Sequence, residues 1–175
     1  MIEDFKIAIG QAWMVKQEMM EADKKRIWEY HLPEIAATEA EMAEAERVLQ
    51  HSLDSRFKAF LRCANGWETF YQTVDLFGTK DLIGGKRKEL GEHMLSYLED
   101  IVLKSSGFRR IDLLPIATTP YDRDLFVMVR PSSPLSGHLI WFAGEEIDRF
   151  VTFDDFFLSM IEYNRIGLKR LKEQN

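Results

Sequence analysis

Cysteine is almost missing from this chain. Cys63 is the single one among 175 residues, so no disulfide can close within it, and a reducing compartment fits. Histidine is scarce as well. His31, His51, His93 and His138 never fall at H-x-x-x-H spacing, and one cysteine cannot build C-x-x-C, so no metal-ligand motif is present and no cofactor is implied. No apolar run approaches the roughly 20 residues that span a bilayer. Acids lead the segment Met1-Ile2-Glu3-Asp4-Phe5-Lys6 with no apolar stretch behind them, so neither a signal peptide nor a membrane role is expected, and the cytoplasm is the expected location.

Positive charge is also in deficit. Lys and Arg number 23 against 29 Asp and Glu, a net charge of −6. That balance disfavours direct nucleic-acid binding, which needs cations to offset phosphate. It suits a basic protein partner, because opposite fields steer encounter, although the same charge also keeps a small protein soluble.

Catalytic signatures are absent in turn. There is no G-x-S-x-G elbow. Gly84-Gly85-Lys86 lacks the first glycine of a phosphate loop, and Arg87 stands where Ser or Thr would hold magnesium. Cys63 falls near the end of a predicted helix, away from the positive pole that activates a thiol. Acid pairs such as Glu99-Asp100 and Asp154-Asp155 are sequence neighbours rather than groups set across a substrate. Lys86-Arg87-Lys88 and Arg109-Arg110 lack interleaved stacking rings. Elimination favours a binding module over an enzyme, with a small enzyme of scattered catalytic residues as the third reading.

The patterning that remains is α+β. A first helix is read over 4–30, carrying Phe5, Ile9, Trp13, Met20, Ile27 and Trp28 and stopped by His31-Leu32-Pro33. Thr38 and Glu41 form a capping box opening a second, acidic helix with Met42, Ala45, Val48 and Leu49 on one face. Asp54 or Ser55 starts a third, with Phe57, Phe60, Leu61 and Ala64 inward, and Asn65-Gly66 is read as its stop. Thr69 to Phe77 reads as strand, and 78–85 as loop. Residues 86–104 read as one helix with Leu90, Met94, Leu98, Ile101 and Val102 inward.

The period then changes. Ile111 to Ala117 is a strand in which Pro115 favours an edge or a bulge. Leu125 to Val129 is apolar throughout, as in a strand covered on both faces. His138 to Phe142 and Glu146 to Val151 form a hairpin around Ala143-Gly144-Glu145. Thr152 and Asp155 cap a last helix with Phe156, Phe157, Met160, Ile161 and Leu168 inward and a basic end. The expectation is one domain: a predominantly antiparallel sheet of about five to six strands flanked by helices.

The ordered series resembles the SUKH superfamily, bacterial immunity proteins that share a domain with fungal Smi/Knr cell-wall assembly regulators. An acidic helix, Glu39 to Leu49, precedes a short aromatic helix ending in Asn65-Gly66-Trp67. Then come Leu76-Phe77-Gly78 with Asp81-Leu82, and Leu114-Pro115-Ile116-Ala117. Leu125 to Val129, Leu139-Ile140-Trp141-Phe142 and Phe153-Asp154-Asp155-Phe156-Phe157 complete the match, which covers about residues 34–164. Residues 1–33 read as a helical extension and 165–175 as the basic end of the last helix. The chain departs from the pattern at Leu53-Asp54, where Leu-Pro is common, at Arg123-Asp124, in place of Gly-Asp, and in a longer 83–110 connection.

The resemblance implies a protein that neutralises a cognate toxin by binding it inside the producing cell. Many such toxins are nucleases with basic clefts, which an acidic surface could cover. A regulatory or scaffold domain of the fungal-regulator kind is the alternative. Asn65, Gly66, Trp67, Pro115, Trp141, Phe153 and Phe156 are then motif residues with structural roles. Loop and turn acids are the candidate contacts with a basic toxin: Glu68, Asp75, Asp81, Asp122, Asp124, Glu145 and Glu146.

Overall fold

Side-chain caps decide where the main helices begin. Asp4 accepts the amide of Lys6 and opens α1 (Phe5–Ala22). Thr38 and Glu41 exchange side-chain and backbone hydrogen bonds, the expected capping box, and open α2 (Glu39–Leu49). Asp54 accepts the amides of Arg56 and Phe57 at α3 (Ser55–Leu61), and Thr152 with Asp155 forms the second box at α7 (Phe153–Glu173). Each cap satisfies amides that a helix start leaves free. The computed structural model describes residues 1–174.

The remaining elements are β1 (Trp67–Tyr71), β2 (Val74–Leu76), α4 (Thr79–Ile83), α5 (Gly85–Tyr97), α6 (Asp100–Ser106), β3 (Leu113–Thr118), β4 (Leu125–Val129), β5 (Leu139–Phe142) and β6 (Glu146–Phe150). The six strands pair antiparallel in chain order, a meander, and the fold is α+β as expected.

The sheet is covered on both sides, and β4 shows why its sequence is apolar throughout. Phe126 and Met128 point to a core shared with α1, α2, α3 and α7, and with Leu114, Ile116, Leu139 and Trp141 from neighbouring strands. Leu125, Val127 and Val129 point to a second core with Ile140 and Phe142, closed by Leu95 of α5, Leu103 of α6 and Phe108. The long 83–110 connection therefore supplies the cover of the second face. In the first core Phe5, Phe57, Phe60, Phe153 and Phe157 interlock with ring centroids 5.0–6.4 Å apart. Phe153 and Phe156 are fully buried there.

Several elements differ from expectation. α1 stops at Ala22, well before Pro33, because Asp23 turns the chain: its carboxylate accepts the amides of Ile27 and Trp28 and the Tyr30 hydroxyl. Residues 23–38 are non-helical. α3 ends at Leu61, so Gly66 is not its stop. The 69–77 strand is a hairpin turning at Gln72 and Thr73, and the 78–85 loop contains α4, where the Asp81 carboxylate accepts the Gly78 amide. The 86–104 helix breaks where Leu98 adopts extended backbone, which rotates Ile101 outward and leaves Leu95 and Leu103 as the buried residues. β3 lies between β2 and β4, so Pro115 sits in an interior strand; the ladder accommodates it with a bulge between Pro115 and Ala117.

Candidate functional site

The Asn65-Gly66-Trp67 motif is a junction. The Asn65 side chain accepts the Thr79 amide at 2.7 Å and donates to the Thr79 hydroxyl at 3.0 Å, fastening α4 to the end of the α3 turn. Gly66 has φ +99°, and its backbone lies against Gly78 and the Leu76 carbonyl. Residues 34–37 are tied to the same junction, by Glu34 N–H to the Gly66 carbonyl, Asn65 N–H to the Ile35 carbonyl, and Ala37 N–H to the Leu61 carbonyl. Trp67 is buried and its indole donates to the His31 carbonyl at 2.8 Å. The segment after α1 is thereby strapped across the β1–α4 side of the molecule with its outward side chains displayed.

Beside this strap, three of the candidate acids converge on one cation. Arg87 of α5 lies 2.7 Å from Glu68, 3.0 Å from Asp75 and 3.6 Å from Asp81. Burial would lower the pKa of Arg87, but the three carboxylates outweigh it and hold the guanidinium above its usual value. Its hydrogen bond in turn holds Glu68 below the ordinary carboxylate range.

Asp75 also accepts the amide of Thr69, a β-branched residue at φ +49°. Positive φ strains such a residue, and strain of this kind persists only where the surroundings enforce it. Here Asp75 holds the amide, the Lys16 ammonium donates to the carbonyl, and His31 Nδ1 sits 3.2 Å from the hydroxyl oxygen.

Arg87 separates two open clefts. One, of about 510 Å3, runs between residues 34–38, the start of α2, and α4. The other, of about 400 Å3, lies between residues 27–31, the β1–β2 hairpin, and Pro120 with Tyr121. Six carboxylates line the pair against two cations, Lys80 and Arg87. Large apolar side chains stand out of the same face: Ile35 is 89% exposed, Tyr121 82%, Leu32 64% and Ile27 50%.

The other four candidate acids gather where the β3–β4 and β5–β6 turns meet, at one end of the sheet. Asp124 is half-buried and accepts the Trp141 indole N–H at 2.7 Å; burial pushes its pKa up against that bond. Trp141 itself is buried, stacked on Phe126. Glu146 is held by both arms of Arg149 at 2.8 Å. The Asp122 carboxylate accepts the neighbouring Arg123 amide, and Glu145 is exposed with no side-chain partner among the described residues.

Sequence reasoning missed Arg87, Leu32, Ile35 and Tyr121, and set Ile27 on the first helix. Ile27 is obscured because 23–30 reads as helix. The signal against that reading is Asp23, a residue better suited to a turn than to a helix interior. Arg87 carries no such signal.

Groups that could perform chemistry are sparse. Cys63 is half-buried, and burial pushes its thiol pKa up, away from the reactive thiolate. Among the described residues no three His, Cys, Asp or Glu side chains are grouped as metal ligands, and no helix is long and apolar enough to cross a membrane.

The profile of the SMI1/KNR4 family (SUKH-1) matches residues 36–159. The chain belongs to this family. A search of curated proteins finds no match. SUKH domains are of the protein-interaction and immunity type and are generally non-catalytic. The SUKH match takes in the Asn65–Gly66 junction, the Arg87 hub and all six strands, and it leaves out α1, which packs along α7.

Proposed function

We propose that this SUKH protein is an immunity protein that binds and neutralises a cognate bacterial toxin in the cytoplasm, without catalysis of its own. The observation that carries the reading is the face on either side of Arg87, where Ile27, Leu32, Ile35 and Tyr121 project from a surface lined by six carboxylates. Projecting apolar side chains supply the desolvated anchors of an interface, and a charged surround supplies orientation and rate. A basic toxin, of which a nuclease is the leading class, complements that surround.

Arg87 has a positioning role in this reading. It holds Glu68, Asp75 and Asp81 in fixed positions, so the face is preorganised before the partner arrives. Asp122 and Glu145, at the turn end of the sheet, form an outlying contact that acts mainly on encounter.

The test is reconstitution. The purified full chain is mixed with the purified toxin domain encoded beside its gene, and complex formation and toxin activity are followed together. The reading expects a stoichiometric complex in which toxin activity is lost. A toxin that stays fully active at saturating protein contradicts it.

A further inference from the structure

Four arginines are part-buried: Arg56, Arg87, Arg110 and Arg130. The first three each meet a carboxylate, at 2.8 Å, 2.7 Å and 3.3 Å respectively. Arg130, which follows β4, meets none among the described residues. Its Nε donates to the Leu113 carbonyl at 3.3 Å, and its Nη1 lies 2.8 Å from His51 Nε2. Nη2 makes no protein hydrogen bond among the described residues.

Arg130 is half-buried, and its Nη2 reaches solvent without a protein hydrogen bond among the described residues, so that edge of the guanidinium can receive an anion. The local electrostatics agree. Burial pushes Arg130 down, whereas Arg56 and Arg87 are held up by their carboxylates. Only the field of Glu92 opposes the effect of burial, and Glu92 is itself paired with Lys88.

Arg130 and His51 sit at the edge of a pocket of about 120 Å3 between the α2–α3 turn and the β4–β5 loop. Beyond the two polar groups the wall is largely aliphatic, with Leu53, Leu114, Met128 and Val129. The pocket has room for a carboxylate with a short branched tail. His51 acts through Arg130: its Nδ1–H donates to the Ser52 carbonyl at 2.9 Å, so Nε2 accepts from Arg130 Nη1 at 2.8 Å and holds the guanidinium in place. Asp54 also lines the pocket, with only one carboxylate oxygen taken by the α3 amides, so its charge repels an anion from that side and the anion belongs at the Arg130 end.

We infer that Arg130, held in place by His51, forms the polar end of a binding site for a short aliphatic carboxylate, with the tail in the pocket behind it. The site is separate from the face assigned to the toxin and does not depend on that assignment.

The probe is isobutyrate, with isobutyramide as its uncharged counterpart, titrated into the full chain and followed by backbone amide NMR. Isobutyrate saturates shifts in residues 51–54 and 128–136 with a dissociation constant on the order of a millimolar, and isobutyramide binds about tenfold more weakly or worse. Arg130→Gln brings isobutyrate down to the level of the amide, and Arg123→Gln, an exposed control, changes nothing. Equal binding of acid and amide, shifts that do not saturate, or shifts outside that pocket would each overturn the assignment. The comparison of acid and amide on the unmodified chain decides the matter even if Arg130→Gln does not fold.

Discussion

Gly66 and Gly78 touch through their backbones. A Cβ on Gly66 would stand 2.7 Å from the Gly78 amide nitrogen and 2.9 Å from the Leu76 carbonyl oxygen, at a φ of +99° that already disfavours a side chain. Gly66→Ala is therefore expected to destabilise the protein by about 2–4 kcal/mol, combining left-handed strain with a backbone clash. Gly10 is the contrast. It lies exposed in α1 with nothing within 4 Å of a Cβ, so Gly10→Ala should stabilise by about 0.5–1 kcal/mol. Urea denaturation of both variants checks the pair.

Lys16 predicts a pH effect. The side chain is 2% exposed, donates to the Thr69 and Phe70 carbonyls, and stands over the Tyr30 ring with no carboxylate partner among the described residues. Burial lowers its pKa from 10.5 to about 8. Between pH 8 and 10.5 the unfolded chain therefore binds more protons at this site than the folded chain, and stability from this group rises with pH. Below pH 8 both states are protonated and the whole cost is present, about 3 kcal/mol by the shift. Lys16→Met removes the titration. Stability measured against pH should show the unmodified chain gaining on the variant by about that amount across this window, and parallel curves would contradict the account.

Arg56 and Asp154 tie α3 to the start of α7 with two hydrogen bonds of 2.8 and 2.9 Å, and Asp154 is almost wholly buried. Removing Arg56 leaves the buried Asp154 charge alone, so Arg56→Met should cost about 3–5 kcal/mol, and Asp154→Ala in the same chain should recover a large part of the loss. Thermal or urea unfolding of the two single variants and the double variant measures the coupling.

Asp122 and Glu145 separate rate from affinity. Both are acids on sheet-end turns with no ion-pair partner among the described residues, whereas reversal of Glu146 would also release Arg149. Asp122→Lys with Glu145→Lys should leave the unfolding midpoint in place and slow association with the proposed toxin partner, most strongly at low salt. Stopped-flow association across a salt series checks this, and rates unchanged at every salt concentration remove the two residues from the interface.

Local chemistry explains which parts of the fold were legible. Thr38 with Glu41, and Thr152 with Asp155, carry their own partners within four residues, so both helix starts were readable. Leu125 to Val129 announced burial on two faces by lacking any polar alternate. What could not be read depends on distant contacts. Pro115 lies in an interior strand because the ladder can bulge there. The helix expected over 4–30 ends early because Asp23 finds three donors in a turn. At the candidate site, Glu68, Asp75 and Asp81 were named from their positions in loops and turns. That one cation, Arg87, gathers all three is a property of the α5 packing, and nothing near Arg87 in sequence signals it.

The most direct measurement is the affinity of the full chain for the purified toxin domain that we propose as its partner, with Ile35→Asp compared against Leu158→Asp. Both side chains are exposed, at 89% and 42%, but Ile35 projects beside the Arg87 clefts and Leu158 lies on α7, beside another groove. The account predicts that Ile35→Asp weakens binding by about 2 kcal/mol or more, as loss of an anchor does, while Leu158→Asp binds like the unmodified chain. Tight binding that survives Ile35→Asp and is lost with Leu158→Asp would place the interface elsewhere and contradict it.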